Sequence, residues 1–170
     1  DGQINFHTNP PAQEAKVCNR VMKISNAIGE MKVSYKTYAK PMGKITGSQS
    51  VYEFLSKVWD QDLIEYQEQF CLLFLSRFNH IIAFNFVSTG GTAGTVVDPK
   101  MVFQAALLCN ASSIILAHNH PSGNLSPSEQ DKRLTERLTR IARDLDMPIL
   151  DHMIVTKESY MSFADEGILY

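Results

Sequence analysis

Apolar and polar positions divide the chain into short apolar runs and amphipathic stretches that follow one another. Continuous apolar runs bounded by turn residues predict buried strands, and apolar residues spaced three and four apart predict helices with one buried face. Strands are predicted at Phe70–Leu75, Ile81–Val87, Ile114–Ala117 and Ile149–Thr156. Helices are predicted at Ser48–Asp60, from Asp98-Pro99 to Asn110, and from Pro127 to Leu145. Because strands and helices interleave, we predict an α/β fold in which helices flank a mixed β-sheet.

The first 47 residues carry a weaker pattern than the rest of the chain. The segment from Asp1 to about Ala12 is predicted to be a loose arm. Apolar residues at helical spacing predict a helix at Glu14–Gly29, and alternation predicts a strand at Lys32–Lys40. We therefore divide the chain into residues 1–47, an arm with a helix and a strand, and residues 48–170, the main domain.

Two histidines follow directly on the apolar run at Ile114–Ala117. Side chains two apart in a strand point to the same face, so His118 and His120 present two imidazoles to one side where the strand ends. Between them, Asn119 points to the opposite face and is predicted to tie down a loop. The Pro-Ser-Gly-Asn sequence that comes next predicts a turn.

A helix start follows this turn. Ser126 suits the N-cap and Pro127 the first helical position, and Glu129 completes a capping box. Ser128 and Asp131 lie three residues apart and therefore share one face of the predicted helix. The side chains predicted to face the core from this helix are Leu134, Leu138, Ile141 and Leu145.

His118, His120 and Asp131 together predict a metal site. If the turn folds back, one carboxylate meets two imidazoles. Two histidines and one carboxylate leave a fourth position for water, which is typical of a catalytic zinc site rather than a closed structural one. The alternative is a pair of histidines that are hydrogen-bonded without any metal.

The same residues resemble a known family. The pattern H-x-H-P, six residues and then S-x-x-D is the metal motif of the JAB/JAMM (MPN-type) metalloproteases. Five residues fit it without a gap: His118, His120, Pro121, Ser128 and Asp131. The string AHNHPSGNLSPSEQD resembles the RadC family specifically, as do SVYEFL, EQFCLLFLS, DPKMVFQAALLCNAS and LDHMIV, over about Ser48–Leu169. The resemblance implies the cytidine-deaminase-like JAB1/MPN fold (α+β) and one Zn²⁺ per chain.

The resemblance also implies two catalytic residues. A hydrolase of this type needs a base, and the family places a glutamate just before an early strand, which is Glu68 here. Glu65 is the rival, but alternation aligns Glu68 with Phe70 on the strand. Without the family, Glu68 would be interpreted as a solvated surface charge. The family uses the serine at Ser128 to help hold the oxyanion, whereas the alternative role is helix-start chemistry.

Asp151 and His152, at the start of the last predicted strand, also match the RadC pattern. They could support a ligand from behind or act as a ligand themselves. We interpret them instead as a structural, hydrogen-bonded pair and leave them out of the metal set.

The composition is that of an ordinary globular domain: 170 residues, 44% hydrophobic and 20% charged. A net charge of −2 argues against an obligate, sequence-independent grip on nucleic acid. The three cysteines, Cys18, Cys71 and Cys109, form no C-x-x-C pair and suit a reducing compartment. No leader and no apolar run long enough to cross a bilayer is found in the sequence, so we expect a cytoplasmic protein that makes no membrane contact.

These observations predict a zinc-dependent metallohydrolase of the JAMM type, from the RadC-like branch. Its expected substrate is a peptide or isopeptide in which Glu68-activated water on zinc attacks the amide carbonyl. The family label points to DNA repair, but the helix-hairpin-helix glycines that often precede this domain in RadC proteins are not found. Nucleic acid is therefore a partner by family association only.

Two other functions stay open at this point. The chain could be a non-catalytic metal-binding interaction module in a DNA-repair or mobile-element system. It could also be a metal-dependent nuclease, although that chemistry normally needs more carboxylates and often two metals. A zinc nucleobase deaminase is excluded, because the H-x-E and P-C-x-x-C signature is absent.

Overall fold

The computed structural model describes residues 22–25, 28–31, 43–89 and 97–170. The chain divides into two compact units, Asp1–Lys40 and Pro41–Tyr170. The predicted domain boundary after residue 47 stays a prediction. None of the helices in the described ranges is long and apolar enough to cross a membrane.

In the first unit, the structure describes two short antiparallel strands. These are β1 (Met22–Ser25) and β2 (Ile28–Met31), with Met22 paired to Met31. The helix predicted at Glu14–Gly29 is therefore wrong over the residues of these strands, and its earlier part lies outside the described residues. The error has a physical cause, since Met-Lys-Ile-Ser alternates apolar and polar residues and so suits a strand as well as a helix. The strand predicted at Lys32–Lys40 also lies outside the described residues.

The described residues of the second unit form three helices and five strands. Its elements are, in chain order, α1 (Ser48–Val58), β3 (Gln69–Leu75), β4 (Ile81–Thr89), α2 (Pro99–Leu108), β5 (Ser113–Asn119), α3 (Glu129–Asp144), β6 (Ile149–Val155) and β7 (Tyr160–Ser162). Each helix and strand predicted between Ser48 and Thr156 is present, with ends shifted by a few residues. The strand predicted at Ile81–Val87 continues to Thr89.

The five strands form one mixed sheet in the order β4-β3-β5-β6-β7. The β5–β6 pair is parallel and the other three pairs are antiparallel. The chain passes from β5 through α3 to β6, as a parallel pair requires a crossover connection. The mixed sheet flanked by helices confirms the predicted fold class and agrees with a JAB/MPN fold.

Both faces of the sheet are covered, so β3 and β5 are buried at every position. On one face, Leu73, Ile115 and Met153 belong to the core cluster that packs against α1. On the other face, Leu72 and Leu116 belong to the cluster that includes residues of α2 and α3. The end of β5, the central strand of the sheet, therefore lies buried between the two halves of the core.

The start of α3 differs from the prediction by two residues. Ser128, rather than Ser126, is the N-cap, and Glu129 is the first helical residue. The capping box joins Ser128 to Asp131, not Ser126 to Glu129. Ser128 prevails because its hydroxyl accepts a hydrogen bond from the Asp131 amide while the Asp131 carboxylate accepts one from the Ser128 amide.

The buried face of α3 is also partly different from the prediction. Leu138 is fully buried as expected, but Leu145 lies beyond the helix and is 41% exposed. Two threonines, Thr135 and Thr139, occupy buried positions on this face. The core side of α3 is thus more polar than its apolar stripe predicted.

The two cysteines in the described residues are unpaired thiols. Cys71 belongs to the buried core, and burial raises its pKa to about 12. Cys109 packs against the other core cluster, and burial raises its pKa to about 11. Both are therefore neutral thiols at physiological pH and pack as small apolar side chains.

Candidate metal centre

The site forms where the carboxyl end of β5 meets the amino end of β3. These strands are antiparallel, and Phe70 pairs directly with His118. Glu68 lies two residues before Phe70, and His120 lies two residues after His118. Because side chains two apart share a face, the register itself brings the glutamate and both histidines to one face of the sheet.

The predicted ligands converge on a single point. His118 Nε2 lies 3.0 Å from His120 Nε2 and 3.4 Å from Asp131 Oδ1, and His120 Nε2 lies 3.8 Å from Asp131 Oδ2. Ligand atoms about 2.0–2.1 Å from a tetrahedral zinc are roughly 3.3 Å apart. The three separations lie on either side of that value, and the two histidines are nearest to different oxygens of Asp131. Among the described residues, His118, His120 and Asp131 form the cluster of potential metal ligands that could hold one ion.

His120 has its tautomer set by the turn that follows it. Its Nδ1 lies 2.6 Å from the backbone oxygen of Asn124. A carbonyl oxygen can only accept, so Nδ1 carries the hydrogen and Nε2 has a free lone pair. That lone pair faces His118 Nε2 and Asp131, which is the arrangement that a metal ligand needs.

Asp131 is held in place by the N-cap of its own helix. Ser128 donates to Asp131 Oδ2 both from its amide, at 2.7 Å, and from its hydroxyl, at 2.6 Å. The Ser128 hydroxyl also accepts from the Asp131 amide at 3.1 Å. Ser128 therefore acts as the N-cap of α3, as the helix-start alternative predicted, and its hydroxyl lies beside the candidate ligand Asp131.

The charge of Asp131 follows from these contacts. Burial acts to raise the pKa of Asp131, but the neighbouring His118 and the two Ser128 donors outweigh it. The pKa of this carboxyl is thereby held well below its usual range. Asp131 is an anion at neutral pH, as metal ligation by a carboxylate requires.

The structure separates the two candidate bases. Glu68 lines the same cavity as His118, His120, Ser128 and Asp131. Glu65 is exposed at the surface and forms an ion pair with Lys157, with 2.8 Å between Oε2 and Nζ. Position therefore favours Glu68 over Glu65 as the group next to the metal site.

Asn119 anchors the segment that carries Glu68. It is fully buried, and its Oδ1 accepts from the Gln69 amide at 2.7 Å. Its Nδ2 donates to the backbone oxygens of Ile64 and Gln67, at 2.7 and 2.9 Å. The residue between the two histidines thus ties down the chain on both sides of Glu68, which confirms the predicted loop-fixing role.

The cavity beside the ligands has a volume of about 410 Å³. Its α3 wall includes Arg133, Leu134 and Arg137, which recur at helical spacing. Both arginines are exposed, and neither takes part in the ion pairs formed among the described residues. The pocket has a negative floor at Asp131 and Glu68 and a positive wall at the arginines.

His152 lies much closer to the site than its place in the sequence indicated. It is fully buried, and its Nε2 is 2.8 Å from His118 Nδ1. Burial first, and the neighbouring His118 next, lower the pKa of His152 well below its ordinary range. Sequence reasoning had interpreted Asp151 and His152 as a structural pair. The pair is hydrogen-bonded, since Asp151 accepts from the His152 amide as well as from the Ser162 hydroxyl and the Ala164 amide, but the His152 ring contacts a candidate ligand.

Comparison with known proteins gives consistent matches over this unit. A family model described as a RadC-like JAB domain matches residues 45–168. A UPF0758 protein of Flavobacterium johnsoniae is 42% identical over 125 residues, which are 74% of this chain and 53% of that protein. UPF0758 protein YfjY of Escherichia coli (strain K12) is 41% identical over 103 residues, 61% of this chain and 64% of that protein.

A third relative extends the match toward the first unit. UPF0758 protein STH371 of Symbiobacterium thermophilum is 32% identical over 149 residues, which are 86% of this chain and 62% of that protein. The chain therefore spans about half to two thirds of the length of these curated relatives.

Proposed function

Because the chain belongs to the RadC-like JAB domain family, we propose that it is a zinc-dependent metallohydrolase of the JAMM type that cleaves a peptide or isopeptide bond. One observation carries the proposal. Two imidazole nitrogens and a carboxylate converge at 3.0–3.8 Å, and Glu68 lies on the wall of the same cavity. Three ligands with an adjacent acid–base residue are the composition of a catalytic rather than a structural zinc site.

Each residue of the site has its own role in the proposed amide hydrolysis. Zinc, when bound, lowers the pKa of water to roughly 7 and polarises a carbonyl oxygen. Glu68 accepts the proton of the attacking water and delivers it to the leaving amine nitrogen. Asn119 keeps Glu68 in register through its three bonds to the preceding loop and β3. Water and scissile carbonyl meet in the cavity that these side chains line.

Ser128 has a second role in this proposal. Its hydroxyl donates to Asp131 at 2.6 Å and lies at the cavity wall. A hydroxyl at this place can turn toward the oxyanion that develops on the attacked carbonyl, while the Ser128 amide continues to hold Asp131.

We place the protein in the cytoplasm and expect peptides or proteins as its partners. A net charge of −2 gives no general affinity for nucleic acid. The alternative is a non-catalytic metal-binding module in a DNA-repair or mobile-element system. Such a module has no need of a glutamate beside the metal, so Glu68 on the cavity wall favours the enzyme.

Incubation of the zinc-loaded protein with a broad peptide and isopeptide library tests this function. We expect new amine termini, detected by mass spectrometry, that disappear when a chelator removes the metal. A zinc-loaded protein that cleaves nothing in the library would favour the interaction module instead.

The arginines on the α3 wall predict the charge of the substrate. Arg133 and Arg137 suit a carboxylate, because guanidinium groups bind it in a bidentate manner. We expect cleaved sequences to be enriched in acidic residues near the scissile bond. Arg137→Glu should lower kcat/KM for acidic substrates about 10-fold or more, as a charge-assisted hydrogen bond of about 1.5–3 kcal/mol is lost.

Arg140→Glu is the matched control, since Arg140 is an exposed arginine of the same helix that does not line this cavity. Steady-state kinetics with paired acidic and neutral peptides would measure both variants. Equal loss in the two variants would show a general charge effect and contradict recognition by the cavity wall.

A further inference from the structure

A chain of three hydrogen bonds connects the metal ligand His118 to the start of α3. His118 Nδ1 lies 2.8 Å from His152 Nε2, and His152 Nδ1 lies 2.6 Å from Thr135 Oγ1. Thr135 Oγ1 lies 2.6 Å from the backbone oxygen of Asp131. His118 is on β5, His152 on β6 and Thr135 on α3, so the chain joins three elements behind the site.

The direction of this chain is set at one end. A backbone carbonyl only accepts, so the Thr135 hydroxyl donates its single hydrogen to Asp131. The hydroxyl is then an acceptor for His152, which must carry its hydrogen on Nδ1 and a lone pair on Nε2. His118 in turn donates from Nδ1, and its Nε2 is left with a free lone pair.

The opposite direction would disable the site. A hydroxyl that donated to His152 would leave Thr135 Oγ1 and the Asp131 oxygen 2.6 Å apart with no hydrogen between them. His152 would then donate to His118, whose hydrogen would sit on Nε2. That hydrogen would occupy the place where His118 and His120 face each other at 3.0 Å.

We infer that His152 and Thr135 are positioning residues that hold His118 in its Nδ1–H tautomer, with the Nε2 lone pair directed at the metal position. This inference rests on the metal-binding part of the proposed function. In His120 the Asn124 carbonyl fixes the same tautomer by accepting a hydrogen bond from Nδ1. The hydrogen bonds of both histidines thus lead to a backbone carbonyl, which can only accept a hydrogen bond. Partners of this kind fix the orientation and basicity of a metal-bound histidine.

The surroundings of His152 keep its ring from turning. The side chain is fully buried. Its ring stacks on Phe163, with centroids 4.7 Å apart and planes inclined by 26°, and lies 5.6 Å from the ring of Phe70. Flipping the ring would break both hydrogen bonds of a fully buried side chain, so one orientation prevails.

The chain offers a matched pair of variants to test this role. Thr135→Val removes the hydroxyl at nearly constant volume, and Thr135→Ser keeps it. Thr139→Val is the control, because Thr139 is buried one turn later on the same helix and its hydroxyl has no hydrogen-bond partner in the described part of the chain. Two quantities are measured: zinc affinity by competition with a chelator, and the imidazole tautomers of the metal-free protein by ¹H–¹⁵N NMR at mildly alkaline pH.

We expect the wild type to show His118 and His152 both protonated on Nδ1. Thr135→Val should mix the tautomers of His118 and weaken zinc binding about 10- to 100-fold, the usual effect of losing such a partner. Thr135→Ser should restore both properties. Thr139→Val should behave as the wild type.

Three results would overturn the inference. The first is a wild-type spectrum that places the hydrogen on His118 Nε2. This result does not depend on whether any variant folds. The second is Thr135→Val with unchanged tautomers and affinity. The third is Thr139→Val losing as much affinity as Thr135→Val, which would indicate a general packing effect. A wild type that binds no zinc would defeat the proposed function, whereas the tautomers would still decide the positioning role.

Discussion

Replacing Glu68 by glutamine is expected to lower the rate of amide cleavage by roughly two to four orders of magnitude, the usual contribution of a positioned acid–base group. Glutamine keeps the size and polarity of the side chain but cannot accept the proton of the attacking water. Zinc content and stability should survive, because Glu68 is not one of the three converging ligands. Single-turnover kinetics and elemental analysis of the same preparation would measure both properties.

Glu65→Gln is the matched control for this change. Glu65 lies three residues earlier and forms a surface ion pair with Lys157. Exposed ion pairs contribute about 0–1 kcal/mol, so its loss should leave cleavage and folding nearly unchanged. Full activity in Glu68→Gln with an inactive Glu65→Gln would show that the base was assigned wrongly.

Replacing His120 by alanine should have the largest effect on the metal. His120 contributes one of the two converging imidazole nitrogens. Loss of a residue that hydrogen-bonds to a metal ligand typically lowers metal affinity about 10- to 100-fold. Loss of the ligand itself should therefore lower zinc affinity by more than about 100-fold. Cleavage should fall with the zinc content. The fold should persist, because both core clusters are built without His120.

The control for this variant is His80→Ala. His80 sits in the turn before β4, and its described contacts with the rest of the chain are made by its backbone. Zinc titration followed by calorimetry would compare the two variants with the wild type. Wild-type zinc affinity in His120→Ala would contradict the proposed ligand set.

Local sequence patterns were sufficient for most of this fold. Asp98-Pro99 marked the start of α2 because the Asp98 side chain caps the Lys100 amide. The apolar runs of β3 and β5 predicted strands that are buried on both faces. The ligands were predictable because each depends on a local period: two residues along a strand for the histidines, and three along a helix for Ser128 and Asp131.

The failures occurred where two local signals compete. Ser126 and Ser128 both suit an N-cap, and the choice is made by the Asp131 carboxylate, which reaches the Ser128 amide. In the first unit, the alternation of Met22–Ser25 competes with a helical spacing of apolar residues, and the strand prevails. Neither choice can be made from propensities alone.

The contact of His152 with His118 depends on tertiary structure alone. It requires the parallel register of β5 and β6, in which Leu116 pairs with His152. A polar residue on the inward stripe of α3, Thr135, was the available signal. Most buried hydroxyl groups form a hydrogen bond, and a histidine on a neighbouring strand can supply the partner for Thr135.

Anomalous diffraction at the zinc absorption edge tests the central claim most directly. Crystals of the wild-type protein, purified without chelator and supplied with zinc, should show one peak per chain. We predict that this peak lies between the Nε2 atoms of His118 and His120 and the carboxylate of Asp131. No peak at this position in the presence of excess zinc, with the three side chains still clustered, would contradict the metal centre and the hydrolase proposed from it.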